Sequence, residues 1–173
     1  KGGAVFDTQK LDWVNSQYLR SMEPSVLVER FIPMLEAVGI TGFANDYLEK
    51  VIVLLRERVS LLTEIPEFGN YMFAKPESYD PAYVDKHWKE DTLELVEPLV
   101  KLFGETDDFS HKNLHDITVA YVESKDSKLK VVIHPLRMMI TGKSVGAGMF
   151  ETMEVLGKKE CMERFELFMA TKR

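Results

Sequence analysis

Asn45 to Ile65 reads NDYLEKVIVLLRERVSLLTEI. Tyr47, Val51, Leu54, Leu55, Leu61 and Leu62 fall at helical spacing and make a wide apolar stripe along one side of a long helix. Asp46 or Asn45 suits its start and Pro66 its end. Comparable spacing recurs along nearly the whole chain, and no stretch sustains the alternation of a half-buried strand. The pattern predicts an all-α protein.

Before this helix, Asp7 is placed to cap TQKLDWVNSQYLRSM, with Leu11, Val14, Tyr18, Leu19 and Met22 turned inward. PSVLVERFIPMLEAVG follows, with Pro24 in the first turn, Gly39 at the end, a kink at Pro33, and Phe31, Met34, Leu35 and Val38 on one side. PEFGNYMFAKPESYDP is a Pro/Gly/aromatic connector, which places a boundary between two tandem helical bundles at residues 1–70 and 71–173. The second has one or two helices from Pro81 to Gly104, a helix capped by Ser110, a helix over SKLKVVIHPLRMMITG ended by Gly142, and two last helices. Cys161, Phe165, Phe168 and Met169 form the inward stripe of the final one.

The net charge of −6 argues against a polyanion partner until its distribution is considered. Residues 77–110 hold 10 acidic and 3 basic side chains. From Lys128 to Lys143 there are 4 bases (Lys128, Lys130, Arg137, Lys143) and no acid. A polyanion docking there would meet a local positive field. The longest aliphatic run, VIVLL, is far too short to span a membrane. The single cysteine fits a reducing, cytoplasmic setting. The Lys1-Gly2-Gly3 start has no apolar core behind it, and the lack of an initial Met suggests a piece of a longer chain.

Catalytic chemistry finds little support. There is no Gly-rich phosphate loop and no cysteine pair for zinc. His111 and His115 sit one helical turn apart but lack a third ligand. Asp107 and Asp108 lie in a polar turn without an apolar pocket to separate their pKa values. His87, beside Trp88, reads as packing. No metal site is expected. Arg58 and Arg137 sit at the edges of apolar stripes, where packing can hold a guanidinium fork against a nucleobase. GKSVGAG, after the Arg137 helix, has side chains too small to pack well, so its use would lie in exposed backbone. The residues alone leave two readings open: an RNA-binding helical module, or a helical protein-interaction domain with the acidic 77–110 stretch as partner surface. An independent small enzyme ranks behind both.

Three motifs in order weight the first reading. VFDTQKLDWVNSQYLR (Val5 to Arg20), YLEKVIVLLRERVSLLTEI, and PLRMMITGKSVGAGMFETMEVLGKKECMERF (Pro135 to Phe165) together resemble the C-terminal anticodon-binding region of bacterial-type glutamyl-tRNA synthetases. The resemblance implies two helical subdomains that grip the anticodon loop of glutamate tRNA. It places Arg58 on the third anticodon base, Arg137 at the anticodon, and Gly146, Ala147 and Met149 near the first base. Lys130 and Lys143 are candidate phosphate contacts. The HIGH-type and KMSKS-type elements of the family's adenylate-forming site are absent, so the chain alone should be inactive. In the intact enzyme, a glutamate–tRNA ligase, ATP and Mg would serve the catalytic domain of the same chain; no cofactor is implied for this region. A monomer away from membranes is expected. Some family members carry Thr-Pro where this chain has Gly146-Ala147, so contacts there would run through backbone. Met139 replaces a smaller residue.

Overall fold

The computed structural model describes residues 7–173, so the Lys1-Gly2-Gly3 start and Val5-Phe6 of the first motif lie outside the described residues. Among the described residues there are ten α-helices and no strand. None is long and apolar enough to cross a membrane. The chain divides into two compact units, up to Asn70 and from Tyr71 onward.

The first unit contains α1 (Thr8–Ser21), α2 (Pro24–Ala37), α3 (Asn45–Leu55) and α4 (Ile65–Phe68). Asp7 caps α1, its Oδ1 accepting from Lys10 N–H at 3.1 Å. The core is the seam between α2 and α3. Leu27, Val28, Phe31 and Leu35 of α2 and Leu48, Val51, Ile52 and Leu55 of α3 are buried, each such side chain contributing about 1.5–3 kcal/mol. α2 continues through Pro33, whose side chain is exposed, and ends where Gly39 takes φ +80°.

Three expectations fail here. The long helix stops at Leu55, ten residues early; a turn follows, then a 3-10 segment at Leu62–Glu64. The break falls in the charged Arg56-Glu57-Arg58 run. Arg56 Nη1 reaches Met22 O at 3.3 Å, and Glu64 Oε2 accepts from Ser60 N–H at 3.0 Å. The turn lets Val59 and Ile65 enter the core, while Leu61 is left exposed. The cap of α3 is Ala44, not Asn45 or Asp46. The α1 stripe is not inward: Leu19 is buried, but Leu11 and Tyr18 are exposed, as is Val38 of the α2 stripe.

The close fit of the α3 turn predicts a measurable effect. A Cβ on Gly69 would collide with Leu55 Cδ1 and lie 3.2 Å from Ile65 O. Gly69→Ala should therefore destabilise this unit by about 1–3 kcal/mol, read from urea unfolding of the variant.

The second unit comprises α5 (Pro81–His87), α6 (Thr92–Glu105), α7 (His111–Ser124), α8 (Leu129–Thr141), α9 (Met149–Leu156) and α10 (Lys158–Met169). Asp80 caps α5 and Ser110 caps α7. α8 is the central element, packed by all five other helices. That position explains its composition: Val132, Leu136, Met138, Met139 and Ile140 are fully buried, as a helix apolar on most sides requires. Met139 is accommodated there without interrupting α8. Cys161, Phe165, Phe168 and Met169 of α10 enter the same core as expected.

Arg164 of α10 escaped the sequence analysis. It is 2 % exposed. Its Nη1 donates to Tyr71 O and Ile140 O at 2.7 Å each, and Nη2 donates to Ala74 O at 3.2 Å. Nε meets Glu160 Oε1 at 2.8 Å. One guanidinium thus ties the start of the unit, the end of α8 and α10 together.

Candidate nucleic-acid interface

α8 carries polar side chains along one ridge. Lys130, His134 and Arg137 follow at spacings of four and three residues and share one side of the helix. Gly142 ends α8 with φ +68°, a left-handed conformation that glycine adopts without strain. Thr141 Oγ1 donates to Arg137 O at 2.8 Å and accepts from Lys143 N–H at 3.1 Å, which fixes the turn into the loop.

The glycine loop is tied back to the helix that precedes it. Arg137 Nη1 donates to Ala147 O at 2.9 Å, and Ala147 N–H donates to the Tyr71 hydroxyl at 3.4 Å. Gly146 makes this possible. A Cβ there would lie 3.1 Å from both Arg137 Nη1 and Tyr71 Oη. The loop is therefore less bare than its composition suggests: both backbone polar groups of Ala147 are taken internally. Arg137 is half-buried and uses one of its donors; its guanidinium makes no other hydrogen bond among the described residues. The result is a braced planar cation, the arrangement needed for a base edge or a phosphate.

The other expected positions divide. Lys130 is exposed on α8. Lys143 Nζ lies 6.0 Å from the Tyr71 ring centroid. Ala147 and Met149 are buried, at 2 % and 4 % exposure, so their side chains are core and any contact made there runs through the backbone. Ser144 and Val145 hold the exposed tip, Val145 at 63 %. The sequence signal for Val145 was its size, as the single large apolar side chain of GKSVGAG.

Arg58 belongs to the first unit. It sits in the exposed turn after α3 rather than on the helix, its N–H bonded to Leu55 O at 2.8 Å. Its neighbours in the RER run are committed: Arg56 to Met22 O, and Glu57 to Arg20 at 3.0 Å. The Arg58 guanidinium makes no hydrogen bond or ion pair among the described residues. A charged side chain left free on a turn held by its neighbours is available to an outside ligand.

The histidines dismissed as metal ligands have acidic neighbours. His111 Nδ1 meets Glu154 Oε2 at 2.6 Å, and His115 Nδ1 meets Asp116 Oδ1 at 3.3 Å. Among the described residues no group of three or more His, Cys, Asp and Glu could hold a metal ion. Asp108 Oδ1 accepts from Ser110 N–H at 3.0 Å, a bond that holds its carboxyl below the usual carboxylate range.

A helical fold with a braced arginine beside a tight loop fits a recognition module. Residues 26–169 match the family of the anticodon binding domain, and the chain belongs to that family. It is 39 % identical over 173 residues to the glutamate–tRNA ligase of Chlorobaculum parvum, matching 95 % of this chain and 34 % of that relative. The glutamate–tRNA ligase of Flavobacterium psychrophilum is 36 % identical over 171 residues, matching 99 % of this chain and 34 % of the relative. Among solved structures, a glutamate tRNA ligase from Elizabethkingia meningosepticum in complex with its amino acid superposes with a TM-score of 0.91 at 27 % identity, over all of this chain and 34 % of the other. The chain thus spans about a third of the length of the curated relatives it matches.

Proposed function

We propose that this chain reads the anticodon of glutamate tRNA as the recognition part of a glutamate–tRNA ligase. The whole protein attaches glutamate to tRNA with ATP and Mg, in the cytoplasm, using a catalytic part outside this chain. The observation that carries the reading is the Arg137 guanidinium, braced on Ala147 O with its remaining donors uncommitted. In this reading Arg137 and the backbone of Gly146 and Met149 contact the anticodon, Ala147 holds the loop in place through its own two backbone bonds, and Arg58 contacts its third base. Lys130 and Lys143 approach phosphates and position the strand without reading it.

The test is a titration of this chain with the anticodon stem–loop of glutamate tRNA, beside a stem–loop of scrambled anticodon, at two salt concentrations. Tighter binding to the cognate loop at both salts supports the reading. Equal binding to both loops that disappears with salt leaves only a basic surface, and overturns it.

Gly146→Ala tests the brace. The added methyl requires the Arg137 arm or Tyr71 to give by a few tenths of an ångström, which loosens the brace. Cognate affinity should fall by about threefold to tenfold while the helical circular dichroism is kept; the size follows from losing one charge-assisted contact.

A further inference from the structure

α5 lies against α8, and their contact contains a histidine pair that the anticodon reading does not use. The rings of His87 and His134 stack with centroids 4.0 Å apart and planes 26° from parallel. The Tyr83 hydroxyl is 2.8 Å from His134 Nδ1, and the Tyr83 ring meets both imidazoles edge-on. Burial holds the Tyr83 phenol above its usual range, so it keeps its proton and can donate it to the neutral ring.

The charges around the pair share one sign. Lys86 acts on both rings, Lys89 on His87, and Lys130 and Arg137 on His134. Elsewhere on the chain several cations are paired. Lys75, Lys101, Lys112 and Arg173 each face a carboxylate, as do His111 and His115. Two stacked imidazoles beside four cations make a locally positive patch. It lies on the ridge that ends at Arg137 and the loop.

We infer that the RNA strand leaving the Arg137 loop runs along α8 over the His134–His87 stack, which binds a backbone phosphate and takes up a proton as it does so. This rests on the anticodon reading above and adds to it a pH-dependent phosphate contact. The sign follows from the surroundings. In the free chain, burial first and then the neighbouring cations hold both imidazoles below their usual 6.5. A bound phosphate brings negative charge to the pair and raises them. The complex therefore holds more protons than its parts in the interval between, and affinity climbs as pH falls through it.

The experiment measures binding of the glutamate anticodon stem–loop to this chain from about pH 7.5 to about pH 5.5 at fixed ionic strength, in the native chain and in the double variant His87→Gln/His134→Gln. Native affinity should rise about tenfold on acidification, as a shift of one pKa unit implies. The double variant should lose the rise, whatever its affinity near pH 7.5. A rise that survives in the double variant, or a native chain without one, overturns the inference and leaves the anticodon reading standing. Failure to prefer the cognate loop at about pH 7.5 overturns the anticodon reading, and this inference with it. Imidazole NMR on the native chain supplies a readout independent of how the variant folds. The RNA should raise the titration midpoints of His87 and His134; unmoved midpoints for the stacked pair overturn the phosphate contact.

Discussion

Arg164→Ala is expected to lower the stability of the second unit by about 3–5 kcal/mol, with its melting temperature falling by on the order of 10 °C or more. The cost comes mainly from what the arginine leaves behind. Tyr71 O, Ile140 O and Ala74 O all accept from its guanidinium, and without it the buried carbonyls of Tyr71 and Ile140 lose their donor, while Ala74, an exposed residue, adds little. Glu160 contributes less to the penalty, because its carboxylate is 32 % exposed and stays partly hydrated. Arg164→Lys should recover only part of the loss, since one ammonium group cannot reproduce the planar fork. Cys161 provides the local readout. It lies on α10 in the same core, and burial pushes its thiol up to about 12. Alkylation at neutral pH then requires the unit to open, so labelling should be slow in the native chain and accelerate in Arg164→Ala. Equal labelling rates would show that the buried arginine is dispensable.

Arg137→Ala should weaken binding to the cognate stem–loop by about tenfold to a hundredfold, the range expected when a guanidinium fork on a base is removed. Two effects combine: the base contact is lost, and Ala147 O loses the donor that braces the loop. The second should cost the fold only about 1 kcal/mol. Arg137→Lys separates them. It keeps the positive charge, so binding to a scrambled loop should stay near native, while preference for the cognate loop falls. A lysine variant that retains full preference would mean that Arg137 acts as a point charge and not as a reader.

The residues that announce an end or a start were legible in the sequence. Asp7, Ser110 and Gly142 act through their own backbone geometry within a few residues, and the structure has each where local chemistry placed it. The character of α8 was legible too, because its apolar excess reports burial on most sides. What failed was whatever depends on a partner far along the chain. The spacing of Leu11 and Tyr18 is helical, yet periodicity cannot tell whether anything covers that face, and both are exposed. Nothing in VLLRERVSLL forbids a continuous helix. The turn is held by Arg56 reaching Met22 O and by the burial of Val59 and Ile65, both tertiary gains that outweigh a weak local preference. Arg164 looked like an ordinary charged position, because the carbonyls it satisfies lie as many as 93 residues away in sequence. The histidine stack was invisible for the same reason: His87 and His134 meet only once α5 packs on α8.

A base-by-base affinity profile tests base reading by Arg58 and Arg137 most directly. Each of the three anticodon positions of the stem–loop is exchanged in turn, and binding is measured for the native chain, Arg58→Ala and Arg137→Ala. The native chain should penalise each exchange, and each arginine variant should lose discrimination at its own position while keeping it elsewhere, with Arg58→Ala affecting the third base. Variants that bind every loop more weakly by the same factor would contradict base reading, and would reduce both arginines to phosphate contacts.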